Sequence, residues 1–484
     1  MFKPEKLVKI TCIFPQKYLS DVTLKLQDIG LVHLTKAQLT DGFKPVKSFD
    51  KEYKNLSGLL VRISYLINLI KSRTFKSFFR EFFGPRYVYA APRAGLDKKK
   101  ISKDLERLEK KYGILKYSKA KINWSDYKHI ILYRDIVDDM LERHRVLQLF
   151  SKSKYLMRFD GWVEHDKVNR VKNAVEFATN KAAVFTTNKP KADEMPTLVK
   201  NPSVVKPFEI LTETYGVPSQ KEIDPTPIIA VTFTLIFGLM FADVGYGLSL
   251  FVLSLFVYLY TTKESRFRRN LNLVLIYLGL VSAIFGFIFG ECFGVHFRKG
   301  VVDPIRDVIL FLKISIIIGL VHLSIGLLAK IFTSFHDRKK VLQGISLLVV
   351  MWAAFSLYFK QTILNKALLV IGVLVLLAVE KLKMLEEISS LLAATLSYMR
   401  IAALGLGHII ISRLLVSSYA QLSGNPVQIA FFIAIFATGA LILLTLGVFV
   451  TIIQDTRLHW VEFLPKFMVG KGTKFKPFKH MYSV

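Results

Sequence analysis

Apolar and polar positions follow two different patterns along this chain. In the first part, short apolar stretches alternate with polar ones, whereas the second part consists mainly of apolar runs near the roughly 20 residues that cross a bilayer. Seven prolines between Pro190 and Pro227 prevent long helices where the pattern changes. The pattern therefore predicts an N-terminal domain over 1–195, a linker over 196–226 and a transmembrane domain over 227–484.

The ends of the first part each contain a strand, an amphipathic helix and a second strand. The predicted elements are a strand at 7–14, a helix at 17–29 ended by Gly30 and a strand at 31–36, followed much later by a strand at 156–163, a helix at 166–179 and a strand at 182–187. Together they predict one α/β lobe built from 1–45 and 155–190.

Helical periodicity fills the region between these two ends, over 50–155. Apolar residues recur at three- and four-residue spacing in 50–82, and charged residues flank them in 97–120 and 125–155. The pattern predicts an antiparallel coiled-coil hairpin, with ordinary core helices as the alternative.

The second part contains about eight apolar segments. The segments are 226–241, 244–260, 271–292, 307–331, 341–359, 364–380, 388–420 and 427–464. Basic residues concentrate in alternate loops and after residue 465, and the positive-inside rule then places the N-terminal domain and the C-terminal tail in the cytoplasm. The fold class is thus an α-helical polytopic membrane domain preceded by an α+β cytoplasmic domain.

The amino-acid composition argues against a nucleic-acid-binding protein and against a disulfide-stabilised one. The formal charge of +30 over 484 residues would suit a nucleic-acid binder, but 52% of the residues are hydrophobic and no nucleic-acid motif accompanies the charge. Cys12 and Cys292 are the only cysteines, which excludes a disulfide scaffold. The sequence shows no cleavable signal peptide, phosphate-binding loop, metal motif or nucleophile elbow, so we expect no cofactor and no ATP hydrolysis by this chain.

Arg400 is the most informative charge in the membrane part. It lies at least a dozen residues from either end of its apolar segment, roughly 18 Å deep at helical rise. Because a guanidinium keeps its proton and is costly in hydrocarbon, Arg400 is a functional candidate, with pairing to a neighbouring helix as the alternative. Arg413 lies near the end of the segment, where snorkelling would explain it.

Other polar residues interrupt apolar helices near their ends. Gln454, Asp455, Arg457 and Glu462 do so in the last segment, at a depth that depends on the tilt of the helix. Gly286, Gly290 and Gly294 have the spacing that allows helices to pack closely, and Glu291 among them could line a vestibule or cap a helix.

Several motifs closely resemble the V-type/A-type ATPase a/I subunit family. FGLMFADVGYGL (237–248) resembles the entry to its membrane domain, and SYMRIAALGLGH (397–408) and RLHWVEFLPKF (457–467) resemble its last two helices. The strand–helix stretches at the start of the chain and at 161–176 are similar to its proximal cytoplasmic lobe. The usual distal lobe is missing or vestigial here, since 83–95 offers at most one short strand.

The resemblance implies a role for individual residues. Arg400 corresponds to the essential arginine that faces the carboxylates of a rotating proteolipid c/K ring, and Arg457 to the second arginine, on helices that are long and tilted. Gly447 stands where relatives often have Glu. The resemblance and the local chemistry together make half-channel candidates of His408, Gln454, Asp455, Glu462, Glu386, Glu387 and Glu291.

The resulting hypothesis is a non-catalytic stator subunit of a rotary ATPase that moves protons or sodium ions across a prokaryotic cell membrane. The implied partners are the proteolipid ring, E/G-type peripheral-stalk subunits, a C/d-type central-stalk subunit and the lipid bilayer, but no nucleic acid. A stand-alone secondary transporter is the main alternative, although the two halves of the membrane part show no convincing repeat. A membrane anchor without translocation would leave Arg400 unexplained.

Overall fold

The computed structural model divides the chain into two compact units, which are considered separately. One contains Glu5–Leu198 and Lys474–Val484, and the other contains Met1–Pro4 and Val199–Thr473. The structure describes residues 4–37, 42–46, 50–71, 98–114, 124–188, 195–260, 266–297, 300, 303–335, 337–359, 361–417 and 426–480.

The first unit combines a six-stranded antiparallel sheet with helices. The strands are β1 (Leu7–Pro15), β2 (His33–Thr35), β3 (Lys44–Pro45), β4 (Ser151–Lys152), β5 (Leu156–Glu164) and β6 (Val184–Asn188). The helices are α1 (Leu19–Ile29), α2 (Asp50–Lys71), α3 (Lys98–Ile114), α4 (Trp124–Leu147) and α5 (Val168–Ala178). These elements lie close to those that alternation and helical spacing predict.

The sheet joins the two distant ends of this unit. β1 and β5 pair antiparallel from Leu7↔Glu164 to Pro15↔Leu156, β6 pairs with the free edge of β1, and β2 pairs with β5. The order β2–β5–β1–β6 is that of a ferredoxin-like lobe with two strand–helix–strand units. Gly30 ends α1 in the left-handed conformation at φ 62°, which glycine adopts without strain.

A second core stabilises the helical part of this unit. Leu56, Ile63, Leu105, Ile130 and Val137 from α2, α3 and α4 are buried together. The apolar positions that recur at helical spacing in α2, α3 and α4 therefore pack against each other in one cluster. Residues 72–97 and 115–123, which include the predicted short strand at 83–95, lie outside the described residues.

The second unit is helical. Its helices are α6 (Glu209–Tyr215), α7 (Thr226–Met240), α8 (Val244–Tyr260), α9 (Arg266–Phe289), α10 (Val308–Thr333), α11 (Arg338–Phe359), α12 (Ile363–Glu380), α13 (Lys383–Ser397), α14 (Met399–Ser417) and α15 (Pro426–Arg457). A π-helical turn, Leu458–Phe463, and a 3-10 turn, Leu464–Lys466, continue α15. A two-stranded hairpin of β7 (Glu291–Cys292) and β8 (Val295–His296) follows α9.

Six helical spans among the described residues are long and apolar enough to cross a membrane. They are Phe267–Phe289, Val308–Thr333, Arg338–Tyr358, Ile363–Glu380, Lys383–Ser417 and Pro426–Lys466. The first two predicted segments form the shorter apolar helices α7 and α8, so the count of eight full-length spans is not confirmed. The chain is a multi-pass membrane protein.

Glycines allow two of these helices to lie almost in backbone contact. A Cβ atom on Gly279 of α9 would lie 2.6 Å from the Phe251 nitrogen of α8, and one on Gly247 would lie 2.5 Å from the Ala283 nitrogen. The predicted glycine stripe is wrong in part: Gly286 does pack against Asp243 and Val244, but Gly290 and Gly294 lie beyond the end of α9 at φ 74° and 78°.

The proline-rich linker is ordered against the segment that follows Lys466. The Glu222 carboxylate accepts the Val469 amide at 2.8 Å, and the Val217 carbonyl accepts the Gly472 amide at 2.8 Å. Asp224, which is buried, accepts hydrogen bonds from Asn201 and Thr226. Backbone and carboxylate hydrogen bonds thus replace regular secondary structure in this part of the membrane unit.

Residues Lys474–His480, here called the strap, belong to the first unit and run along its sheet. The Phe475 amide donates to the Thr197 carbonyl at 3.0 Å, and the Phe478 amide donates to the Val32 carbonyl at 2.8 Å. Phe475 packs with Leu7 and Trp162, and the Phe478 side chain lies in the main core of the lobe. The strap is therefore part of the core of the α/β lobe.

Candidate functional site

Arg400 lies where two helices of one 35-residue span meet. α13 ends at Ser397 and α14 begins at Met399, and Arg400 Nη2 donates to Ser397 Oγ at 3.1 Å. Its Nη1 is buried without a hydrogen-bond partner among the described residues, and no carboxylate there forms an ion pair with it. The side chain is thus a partly buried, permanent positive charge.

Arg457 and Glu462 lie within electrostatic reach of Arg400. Arg457 is exposed at the end of α15, and Glu462 is half-buried in the π-helical turn that follows. The last helix therefore brings one further positive and one negative side chain to the neighbourhood of Arg400.

A network of polar side chains, all buried except the half-buried Thr232, adjoins this charged group through Tyr398 and is here called the histidine network. It consists of Thr232, His322, Tyr398, Asp455 and His459. The Tyr398 hydroxyl lies 2.8 Å from His322 Nδ1, and the rings of His322 and His459 have centroids 4.7 Å apart. Gly319 leaves room for the Tyr398 ring, because a Cβ atom there would lie 2.5 Å from it.

Asp455 and His459 form the other end of the histidine network. Asp455 is fully buried and its Oδ1 lies 3.2 Å from His459 Nδ1, while His459 Nε2 lies 2.9 Å from the Thr232 hydroxyl. The π-helical turn widens the helix at this point, a feature frequent at functional sites. The Asp455 carboxylate oxygens have no hydrogen-bond partner among the described residues, because His459 Nδ1 lies 2.9 Å from the Asp455 backbone oxygen.

His408 lies eight residues after Arg400, roughly 12 Å further along α14. It is buried, with its ring centroid 4.2 Å from that of Phe241 and 5.2 Å from that of Tyr246. Neither ring nitrogen has a hydrogen-bond partner among the described residues. Gly447 faces it, since a Cβ atom there would lie 3.6 Å from His408 Nδ1.

Glu291 is fully buried in an ion-pair cluster with His296, Asp303 and Arg413, here called the Glu291 cluster. Its Oε1 contacts Arg413 Nη2 and lies 3.0 Å from His296 Nδ1, and Arg413 Nη2 also lies 3.7 Å from Asp303 Oδ1. Tertiary folding thus gives Arg413 a partner that its position near the end of the segment did not predict, the buried Glu291 carboxylate.

The three remaining candidates do not share one place. Glu386 is exposed near the start of α13, whereas Glu387 accepts a hydrogen bond from Gln343 of α11 at 3.2 Å. Gln454, beside Asp455, has a buried Oε1 without a partner among the described residues. Only Gln454 thus adjoins a member of the histidine network in sequence.

Comparison with known proteins adds to this geometry. A family model, the V-type ATPase 116kDa subunit family, matches residues 96–299 and 380–480, which is more than half of the chain. The chain belongs to this family. The matched regions include Arg400, Arg457 and the Glu291 side chain, so the charged residues described above lie within the part that the V-type ATPase 116kDa subunit family shares.

Curated relatives carry the name A-type ATP synthase subunit I. The Thermococcus kodakarensis protein is 27% identical over 74% of this chain and 59% of its own length, and the Pyrococcus abyssi protein is 28% identical over 79% and 63%. The Methanocaldococcus jannaschii protein is 27% identical over 94% of this chain and 74% of its own. The chain thus spans less than two thirds of the first two relatives.

Two buried polar residues near the candidate site, His322 and Asp243, were not predicted from the sequence. His322 was not singled out, although it is an isolated polar residue within the apolar stretch SIIIGLVHLSIG. Asp243 was quoted only within a motif, yet it is buried and accepts the amides of Tyr246, Phe293 and Gly294 at 3.0, 3.0 and 3.3 Å. Polar residues inside apolar segments were the available signal.

Proposed function

We propose that this chain is the a/I-type stator subunit of a rotary V/A-type ATPase, a non-catalytic membrane subunit that passes protons or sodium ions between itself and a proteolipid ring. One observation carries the proposal: the Arg400 guanidinium is a permanent charge inside a membrane span, with no carboxylate partner among the described residues. Such a charge calls for a counter-charge, and a carboxylate on a ring helix would supply it.

The chemistry of the exchange follows from the cost of charge in lipid. A ring carboxylate is neutral while it faces hydrocarbon, because a bare charge there is too costly. As it passes Arg400, the guanidinium favours its ionised form, and the ion is released. Rotation of the ring past the fixed charge then couples transport to ATP hydrolysis or synthesis elsewhere in the complex.

Access to Arg400 from two directions is the second requirement of the proposal. Buried polar atoms without a hydrogen-bond partner among the described residues occur at two places: on both ring nitrogens of His408, further along α14 from Arg400, and on His322 and Asp455 in the histidine network, which contains Tyr398. Gln454, next to Asp455 in sequence, adds another. Because buried polar atoms need hydrogen-bond partners, hydrated paths at these two places would satisfy them. We assign the outer half-channel to His408 and the Glu291 cluster, and the inner one to the histidine network with Gln454 and Glu462.

The remaining assignments are part of the same proposal. Glu386 and Glu387 would lie at the cytoplasmic mouth of the inner path, and Arg457 would share the passing carboxylate with Arg400. The first unit, which contains the α/β lobe, would bind the subunits of the peripheral and central stalks. The names of the relatives support membership of such a complex.

The test is replacement of Arg400 by Gln in the assembled complex, reconstituted in vesicles. We expect ATP-driven ion uptake to fall at least about a hundredfold. This corresponds to a loss of about 3 kcal/mol of electrostatic stabilisation in the rate-limiting step. Copurification of the ring should be retained. Arg338→Gln is the matched control, because Arg338 is exposed at the start of α11.

Two outcomes would contradict the proposal. One is full ion uptake by the Arg400→Gln complex with intact assembly. The other is ion flux through vesicles that contain the purified chain alone, which would favour a stand-alone transporter.

A further inference from the structure

Tyr398 lies where the span that carries Arg400 passes from one helix to the next. α13 gives way to α14 at this residue, although neither proline nor glycine occurs over 383–404. The backbone tightens here, because the Tyr398 amide donates to the Thr395 carbonyl at 3.2 Å and the Ile401 amide donates to the Tyr398 carbonyl at 3.0 Å. Three-residue hydrogen bonds inside a long helix often mark a functional hinge, and the local sequence does not account for this one.

The side chain of Tyr398 is anchored on α10. It is fully buried, and its ring fills a recess at Gly319, where a Cβ atom would lie 2.5 Å from Tyr398 Cγ and 2.7 Å from Tyr398 Cβ. The hydroxyl lies 2.8 Å from Nδ1 of His322, about one helical turn further along α10. Since both the ring and the Cβ of Tyr398 lie this close, even one methyl group at residue 319 would displace them.

The same face of α10 also backs the second charged helix. The ring of Phe463 stacks on that of His322, with centroids 4.2 Å apart, and Phe463 directly follows Glu462 in the π-helical turn. A Cβ atom on Gly326 would lie 3.2 Å from Phe463 Cδ2, so this contact also depends on a glycine. The positions of α10 that make these contacts have the i, i+3 and i+7 spacing of one helix face. They are Gly319, His322 and Gly326.

The anchor of Tyr398 determines the direction of Arg400. Successive helical residues are rotated by about 100°, so Arg400, two residues further on, lies about 200° around the helix from Tyr398. With the tyrosine fixed against α10, the half-buried Arg400 is attached to the other side of the helix. Its hydrogen bond to Ser397 lies within the same turn, so that bond leaves the rotation of the helix undetermined.

We propose that Tyr398 is a positioning residue for Arg400: the recess at Gly319 and the contact with His322 fix the rotation of the span so that the guanidinium faces the ring carboxylate. The inference rests on the proposed function, which supplies the ring as the partner of Arg400. It differs from a role in the inner half-channel. A hydroxyl that only passes protons would change ion flux without changing where Arg400 lies.

Chemical cross-linking in the assembled complex measures where residue 400 lies. Arg400→Cys is combined with a cysteine that replaces the ring carboxylate, and a bifunctional methanethiosulfonate with a short spacer joins the two thiols. Cys12→Ala and Cys292→Ala remove the two native thiols. The initial rate of cross-linking is the readout, and copurification of the ring reports assembly. Because no ion transport is measured, a role in proton passage does not affect the result.

Variants of the recess should lower the cross-linking rate. Gly319→Ala displaces the tyrosine and Tyr398→Ala removes the anchor, so we expect a fall of at least about tenfold for each. Tyr398→Phe keeps the ring but loses the hydroxyl, and should lower the rate about threefold, as for one buried hydrogen bond. Gly407→Ala on α14 is the control and should leave the rate unchanged, because nothing lies within 4 Å of its Cβ position.

A pair of substitutions at His322 tests the hydroxyl contact from the other side. His322→Asn keeps a polar atom near the place of Nδ1, whereas His322→Leu has a similar size without one. We expect the Asn variant to cross-link near the original rate, and the Leu variant to resemble Tyr398→Phe. Equal rates in the two variants would count against the proposal, because a merely structural loss of the imidazole affects both alike.

The proposal is overturned if Gly319→Ala, Tyr398→Ala and Tyr398→Phe all cross-link at the original rate in complexes that retain the ring. If the two alanine variants do not assemble, Tyr398→Phe alone decides by the same criterion. Failure of the proposed function has a different signature. Arg400→Cys would then not cross-link to the ring at all, even with Tyr398 and Gly319 unchanged.

Discussion

Arg400 and Arg413 lie on the same helix but differ in their partners. Arg413 contacts a buried carboxylate, Glu291, whereas Arg400 has no carboxylate partner in the described part of the membrane unit. Sequence position alone separates central from peripheral charges, but only the tertiary structure shows which is compensated. The charge of Arg413 is thus balanced within the chain, whereas the charge of Arg400 is the one that a partner outside the described residues would have to balance.

A prediction at this scale concerns the Glu291 cluster. Glu291→Gln should destabilise the membrane unit by about 3 kcal/mol, because it removes one partner of a buried ion pair. The measurement is the thermal unfolding midpoint in detergent. Arg413→Gln provides the second arm of a double-mutant cycle, and the double variant should be less destabilised than the sum of the two. Strict additivity would contradict an interaction between the two side chains.

At the scale of whole helices and strands, local sequence patterns predict most of the elements that form. The bounds of β1, α1, β5 and β6 were predictable within a few residues, because alternation marks the strands and Gly30 marks the end of α1. The helical stripe of Gly286, Gly290 and Gly294 was predicted wrongly, since a turn at Gly290 ends the helix. Spacing does not reveal where a helix ends when the residues beyond it remain apolar.

Close packing of α8 against α9 gives a prediction for elements. Gly279→Ala should cost about 1–3 kcal/mol, because its Cβ atom would lie 2.6 Å from the backbone of α8. Gly407→Ala on α14 is the matched control: nothing lies within 4 Å of its Cβ position, so the change should stabilise the helix slightly. Chemical denaturation in mixed micelles compares the two, and equal midpoints would be inconsistent with contact of the helix backbones.

At the scale of the whole molecule, long-range contacts were the least predictable. The segment KFKPF (474–478) follows the last helix, but nothing in its composition indicates that Phe475 packs with Trp162 or that Phe478 enters the lobe core. The histidine network is a second example: Thr232, His322, Tyr398 and His459 lie far apart in the sequence and meet only in the folded unit. Local propensity carries no information about such encounters.

The strap yields the last prediction. Phe478→Ala should destabilise the α/β lobe by about 3–5 kcal/mol, as expected for removal of a buried aromatic ring. Hydrogen exchange of β1 and β5 in the full chain reports the stability of the lobe. Val469→Ala serves as control, because that side chain is 67% exposed. Unchanged protection of both strands in the Phe478 variant would show that the strap does not contribute to the core.

The position of Phe475 and Phe478 also has a consequence for biosynthesis. A ribosome makes β1 and β5 long before it reaches the strap, so the α/β lobe stays without two of its buried aromatic side chains until α15 has been translated. Folding of the lobe and synthesis of the membrane helices are then not successive and independent steps.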